Sequence, residues 1–500
     1  MKFTRTILGI ILFLVLASLV TKYSLLFSLS TTFILAVASN AAVTGLFHGS
    51  FGRYRSIEHG SANWGKRKLL ARTAKGNGPR VIYTLTDSMP LSIDMGGTET
   101  YRNNNTVVIG ASGSGKSRCF ILPQIYSAYS SYVITDPKGA LYSQTHEYLA
   151  SKGYSIYRFS LRNMSASAKY NPLAYTKTPE EIMRLVACII ANTKGEGEKS
   201  DFWERSETAL LQAIFAYLVF ESKEKPTLPN AIELIMKGEN LDGLFEKLDT
   251  ESSFAARQYT VFSLAPEKTK ASILISSAVR LSAFNIPEVR DLTAFDSLCL
   301  DSSFGEKTAL FIETSDEAAS HSFIAALLYS QLFSILARQA DANESGRLAQ
   351  PITFLLDEFA NIGKIPNFES FIATARSRGL AVMLCVQSLA QLKSMYDGNW
   401  ETITGNCDSL LYLGGLEKST LEYISELCGT ATAREISHTD SSDDRTYSNS
   451  PYQRPLITPD EVSRLGPNEC ILIIRGLQPY RSKKYNIENH PEYRKHKLGA

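Results

Sequence analysis

One stretch constrains the fold more than any other: TVVIGASGSGKSRCFILPQIY, residues 106–126. It begins as a β-branched apolar run, passes through small residues, and ends as an amphipathic segment. That is the pattern of strand, tight loop and helix. Gly110, Gly115, Lys116 and Ser117 match G-x-x-x-x-G-K-[ST]. The loop residues Gly110, Ala111, Ser112, Gly113, Ser114 and Gly115 let the backbone fold so that N–H groups converge on phosphate oxygens. The helix start adds the positive end of its dipole. Lys116 is placed to reach β- and γ-phosphates, and the Ser117 hydroxyl to ligate Mg²⁺. The expected ligand is therefore ATP with Mg²⁺. A dinucleotide loop would need glycine at 118, where Arg118 stands, although Asp136 has the spacing of a ribose-binding acid.

A phosphate loop needs a carboxylate partner, and PITFLLDEF supplies one. Ile352 to Leu356 reads as a buried strand, with Asp357 and Glu358 at its end. Asp357 is the expected Mg²⁺ residue and Glu358 the expected base for the attacking water. About 240 residues separate Lys116 from Asp357, far more than a compact nucleotide domain needs. Strands are expected at 131–136, 154–160, 308–314, 352–357, 380–387 and 408–414, with helices between them. That alternation predicts an α/β domain with a mostly parallel sheet. The surplus, from Pro179 to Asp301, is helical by pattern. Leu210, Ala213, Ile214, Tyr217 and Leu218 make one apolar face, and 263–284 reads as another helix. The expected organisation is a nucleotide domain from 101–178 and 302–500, with an all-α domain from 179–301 inserted into it. Residues 437–455 read as a mobile polar loop, 469–476 as the last strand, and the basic C-terminal residues as a solvated face.

The first 50 residues have another character. Ile7 to Val20 is unbroken apolar sequence, Lys22 interrupts, and Leu25 to Phe47 is a second run. At about 1.5 Å per residue the second run spans a bilayer. A transmembrane helical hairpin over 1–50 is expected, with a membrane-proximal stem over 51–100. A signal peptide would be shorter. From His48 to Arg80 eight Lys/Arg face one acid, Glu58, which puts this flank and the nucleotide domain in the cytoplasm. Nucleic-acid contact is the rival use of those charges. Net charge is only +2, which argues neither for nor against nucleic acid. Seven scattered cysteines without a C-x-x-C pair suggest neither a disulfide framework nor a zinc site.

Several motifs accumulate into a likeness: EHGSANWG (58–65), VIGASGSGKS (108–117), VITDPKGALY (133–142), KYNPL (169–173), DFWERSETALL (201–211), LLDEFANIGKIPNFESFIATARSRGLAVMLCVQSLAQLKSMY (355–396) and RPLITPDEV (454–462). Together they make the chain resemble the TraG/TraD-type coupling proteins of type IV secretion and conjugation. The resemblance covers essentially the whole chain. Ala140 and Asp397 depart from it, where the family often has Glu and Gly. It implies an inner-membrane, multi-pass, homo-hexameric ATPase with a RecA-like domain and an all-α cap. It also implies non-sequence-specific DNA as cargo, with relaxase or relaxosome proteins and secretion-channel components as partners. Carried over residue by residue, Gln387 senses the γ-phosphate or orders the water. Arg376 and Arg378 are candidates to reach a neighbouring subunit's nucleotide as an arginine finger, with a surface or DNA contact as the alternative. Asp136 edges the nucleotide crevice, and His59 and Trp64 are packing residues. A membrane-tethered DNA translocase of the FtsK/HerA type is the rival, though it would carry a winged C-terminal domain. A coupling ATPase for effector proteins alone is a second rival. A membrane protease would need H-E-x-x-H, which HEYLA (146–150) lacks.

Overall fold

The structure is a computed structural model that describes residues 11, 13–18, 58–66, 82–87, 89–92, 102–194, 202–238, 241–314, 321–441 and 444–498. Of the expected hairpin only residues 11 and 13–18, which are helical, are among these, and most of the stem lies outside them. The chain partitions into two compact units, Met1–Asn63 with Cys428–Ile457, and Trp64–Leu427 with Thr458–Ala500.

The larger unit opens on an antiparallel pair, β1 (Ile82–Thr86) and β2 (Met89–Ser92), which the sequence reading missed. Then follow β3 (Thr106–Ile109), β4 (Ser131–Thr135), β5 (Ser155–Ser160), β6 (Thr308–Glu313), β7 (Ile352–Leu356), β8 (Leu380–Val386) and β9 (Ser409–Tyr412). All seven are parallel to one another. After β10 (Thr430–Ser441) and β11 (Asp444–Pro455) of the smaller unit, β12 (Glu469–Ile474) and β13 (Tyr480–Lys483) return to this sheet. They extend it antiparallel beyond β9. The order across is β13-β12-β9-β3-β8-β7-β4-β6-β5. The alternation of strands and helices thus predicted the sheet correctly. One expectation fails: 469–476 does not hold the last strand, because polar, basic YRSK pairs as β13 on the exposed edge.

The strands of a parallel sheet are apolar throughout because both faces are covered. Every residue of β4, β7 and β8 is buried. Adjacent residues face opposite layers. Val108, Met383, Cys385 and Leu411 pack with Phe120, Ile121, Tyr126 and Leu149 on one side. On the other side Phe354 of β7 meets Phe333 edge-on at 4.9 Å between ring centroids, and Phe333 stacks on Phe371 at 3.8 Å. Phe333 belongs to the helix Phe323–Ala342, the one helix among the described residues long and apolar enough to cross a membrane. It is a core helix here. Its Tyr329 hydroxyl bonds Thr135 of β4 at 2.7 Å.

Between β5 and β6 the regular elements among the described residues are all helical. The helices run Pro179–Thr193, Phe202–Ala216, Leu228–Met236, Leu241–Phe245, Phe254–Ser263, Glu267–Arg280 and Pro287–Thr293. The first has a capping box of Thr178 and Glu181 behind Pro at its start, as the residues there dictate. Leu210, Ala213, Ile214 and Leu218 are buried. The DFWERSETALL segment contributes Glu207, 3% exposed, whose carboxylate accepts from Arg280 at 2.8 and 2.9 Å. Arg280 also donates to Thr193 at 2.8 Å, so one buried pair ties three helices.

In the smaller unit the expected polar loop at 437–455 is instead most of a twelve-pair antiparallel ribbon of β10 and β11. Thr, Tyr and Arg recur through it, and the ladder satisfies backbone groups that a loop would leave to water. The HGSA segment meets the base of this ribbon. Ser61 bridges Ala431, the Ala62 N–H donates to the Thr430 carbonyl at 2.9 Å, and that of His59 to the Thr432 hydroxyl at 3.0 Å. Gly60 has φ +155°, and a Cβ there would lie 2.3 Å from the Thr430 oxygen, so glycine is required.

Candidate nucleotide site

β3 ends at Ile109 and the chain turns at once. The turn is held by the Gly110 N–H to the Val386 carbonyl (3.0 Å) and the Ala111 N–H to Gly414 (2.9 Å). Gly113 and Gly115 take φ of +76° and +92°, the left-handed region that glycine enters without steric cost. A Cβ at Gly110 would lie 2.4 Å from the Ser114 hydroxyl oxygen. The following helix begins with π-wound Lys116–Ile121 and continues as Leu122–Ser127. Lys116 is 7% exposed, and its ammonium donates to its own loop, to Gly110 O at 2.7 Å and Ala111 O at 3.2 Å.

The carboxylates arrive from β7. Strand β8 lies between β3 and β7, yet the Ser117 hydroxyl donates directly to Asp357 Oδ2. Burial raises the Asp357 carboxyl above its ordinary range, while the Ser117 hydrogen bond and Lys116 pull it back. Its other oxygen accepts the Glu358 N–H at 3.1 Å. Glu358 itself sits at φ +49°, ψ +53°. That left-handed conformation is costly for a side chain bearing a Cβ. Its Oε2 accepts from Asn361 Nδ2 at 3.0 Å.

Ser117, Asp357 and Glu358 line a crevice of about 260 Å³ at the carboxyl ends of the strands, together with Asp136 and Lys138 beyond β4. Ligands bind at this edge of open α/β sheets. Asp136 is 1% exposed and accepts the Tyr142 N–H at 2.8 Å, at the start of the helix Ala140–Ser151. Burial raises its carboxyl, and the Tyr142 N–H lowers it. The loop between them is backed by Glu313, 2% exposed at the end of β6, whose carboxylate carbon lies 3.4 Å from where a Gly139 Cβ would be. Glu313 takes two hydrogen bonds from Arg158 (2.7 and 3.0 Å) and one from Ser160 (2.7 Å). Leu122, Leu141, Ile487 and Tyr493 make the apolar part of the crevice.

Sequence reasoning thus placed Lys116, Ser117, Asp136, Asp357 and Glu358 in one site. Gln387, just past β8, lines a second cavity of about 220 Å³ with Ala111 and Ser112, on the other flank of the phosphate loop. Its N–H donates to Gln391 Oε1 at 2.8 Å. Arg376 and Arg378 are not brought in. They precede Leu380, so the six residue steps of β8, about 20 Å, separate them from the nucleotide edge. Arg378 is held by Asp341 through two bonds of 3.0 Å. The sequence reading missed Glu313, Arg158, Ile487 and Tyr493. Only Glu313 carried a signal, as an acid ending a buried strand.

The whole arc from residue 63 to 491 matches the family model described as Type IV secretory system Conjugative DNA transfer. The chain belongs to this family. The conjugal transfer protein TraG of Escherichia coli is 26% identical over 479 residues, covering 86% of this chain and 74% of TraG. Protein VirD4 of Rhizobium radiobacter is 25% identical over 395 residues, covering 76% of this chain and 56% of VirD4. Among solved structures the bacterial conjugative coupling protein TrwBdeltaN70 superposes with a TM-score of 0.64 at 16% identity, covering 87% of this chain and 98% of that one. TrwB in complex with ADP and Mg²⁺ gives 0.63 at 17%, covering 85% and 94%. At such identities the likeness shows the fold. The coupling-protein resemblance read from the motifs is borne out, and with it the function of coupling DNA to type IV secretion.

Proposed function

We propose that this family member is a motor that hydrolyses MgATP to drive DNA, with or without bound protein, into a type IV secretion channel. The observation that carries the ATPase reading is the convergence of Ser117 and Asp357 from separate strands beside Glu358 and the preformed phosphate loop. TrwB, whose fold this chain shares, has been solved with ADP and Mg²⁺, and with a non-hydrolysable ATP analogue. The hydroxyl and carboxylate oxygens of Ser117 and Asp357 are the hard donors that Mg²⁺ prefers, and the buried carboxylate favours a cation. Bound there, Mg²⁺ would neutralise charge on the β- and γ-phosphate oxygens. Lys116 exchanges its two loop carbonyls for phosphate oxygens. Glu358 orients and deprotonates the attacking water. Lys138, in the same crevice and close enough to Asp357 to lower its carboxyl, adds a second cation facing the phosphates. Gln387 flanks the loop from the other side.

Arg376 and Arg378 lie about 20 Å from their own site along β8, so we assign them to a neighbour's nucleotide in a ring. The family resemblance makes that ring a hexamer around DNA and recruits relaxase and channel proteins. The apolar runs before residue 48 anchor it as a hairpin in the inner membrane, with the motor in the cytoplasm. The all-α segment from 179–301 forms the cap. The test uses the full chain with fluorescent ATP and Mg²⁺, followed by steady-state ATPase with and without DNA. Nucleotide binding abolished by Lys116→Ala, and turnover raised by DNA and suppressed by salt, are expected. Binding that survives Lys116→Ala, or turnover indifferent to DNA, refutes the motor reading.

A further inference from the structure

The phosphate loop is gripped from a place no motif marks. Lys484 follows β13, near the C-terminal end of the described chain, and its ammonium donates to the Ser114 carbonyl at 2.9 Å. Ser114 stands at the apex of the loop, 370 residues away. The peptide after Ser114 is trans, as are all those described, so its C=O and its N–H point in opposite directions. A Ser114 carbonyl fixed outward on Lys484 therefore turns the Gly115 N–H inward. Among the described residues that N–H has no acceptor, and it is one of the donors a phosphate needs.

Left to itself, this peptide would be free to flip. Gly115 lies at φ +92° and can take either hand, although Cys119 Sγ crowds the place where a Cβ would stand. Two cations thus hold the loop. Lys116 closes it from within on Gly110 and Ala111, and Lys484 pins it from behind. Only the first is exchanged for phosphate.

We propose that Lys484 is a positioning residue for the phosphate loop, setting the Ser114–Gly115 peptide so that its N–H faces the triphosphate. The proposal rests on the nucleotide reading given above. It does not need Lys484 for folding. The Lys484 backbone is anchored independently, its N–H to the Asn468 carbonyl at 2.8 Å, and β13 pairs with β12 through Glu469–Leu472.

The test replaces Lys484 by Met, which keeps the length of the side chain and removes the donor, and by Arg, which keeps a donor. Binding of fluorescent ATP with Mg²⁺ is measured on the full chain, with Lys116→Ala alongside. Lys484→Met should raise Kd and KM about tenfold, equivalent to about 1.4 kcal/mol. It should leave kcat and the melting temperature of the nucleotide-free protein near those of the unmodified chain, and Lys484→Arg should recover most of the affinity. Unchanged affinity in Lys484→Met overturns the proposal. So does a loss that tracks a lowered melting temperature, since that is ordinary structural damage, or a loss that Arg leaves unrepaired. If the unmodified chain fails to bind, or Lys116→Ala binds as well as it does, the nucleotide reading itself fails and takes this inference with it.

Discussion

Glu358 can be separated from the fold that holds it, because its position costs the protein stability. A residue with a Cβ in the left-handed region is disfavoured by about 1–2 kcal/mol, and Glu358 sits there at φ +49°. Among the bonds that offset this, its carboxylate accepts one from Asn361 at 3.0 Å, about 1 kcal/mol net. Glu358→Gln keeps the backbone strain and, through its amide oxygen, keeps the Asn361 bond. Its stability should stay within about 0.5 kcal/mol, as for surface substitutions that break no such feature. Glu358→Gly relieves the strain, loses that bond and adds about 0.5–1 kcal/mol of unfolded-state entropy. The terms nearly cancel, so it too should melt close to the unmodified chain. Turnover behaves otherwise. Removing a general base costs about 10²–10⁴ in rate, about 2.7–5.4 kcal/mol of barrier at 1.36 per decade. Urea melts, fluorescent-ATP binding and steady-state ATPase on the same preparations separate the effects. Both variants should fold and bind MgATP, and both should lose turnover. Glu358→Gln hydrolysing within about threefold of the unmodified rate would remove Glu358 from the chemistry and leave its strained backbone unexplained.

Three further outcomes are expected. Glu313→Ala leaves Arg158 without its buried partner, so it should destabilise by about 2–4 kcal/mol in urea, and weaken nucleotide binding by loosening the 136–140 loop; a variant that melts normally would deny Glu313 that support. His490 is 7% exposed against Tyr126, and burial holds its imidazole below the usual range although Glu492 opposes this. The unfolded chain then takes the proton more readily, so stability is full above about pH 6.5 and falls as the pH drops through it. Melting scans should show that slope, reduced in His490→Leu but not abolished, since burial depresses His321 in the same direction. Finally, Glu358→Gln subunits mixed with Arg376→Ala, Arg378→Ala subunits should regain turnover that neither has alone, because an intact site can then meet an intact arginine; no recovery would return these arginines to structural duty, where Asp341 already holds one of them.

Local chemistry was legible in the sequence because it is written in contiguous residues. The phosphate loop follows from where glycine permits positive φ and where a lysine and a hydroxyl must follow. The parallel sheet follows from strand runs alternating with helical stretches. The carboxylates Asp357 and Glu358 were legible as the end of such a run. Strand order was not. That β8 inserts between β3 and β7, leaving Ser117 in hydrogen-bond reach of Asp357, depends on which strands pair, and pairing is decided by packing of the whole chain. Polar ladders were illegible for the same reason. The ribbon of β10 and β11 and the edge strand β13 have the composition of loops, and only a partner strand makes them strands. Charge was the least legible. Lys484 read as part of a solvated face, Arg378 as a reach toward a neighbouring subunit, and Arg158 carried no reading, since a side chain's partner lies at a distance in sequence that no local pattern encodes. Tertiary structure alone set Arg158 on Glu313 behind the nucleotide loop, Arg378 on Asp341 away from it, and Lys484 on the carbonyl of Ser114, because only folding determines which partner is near.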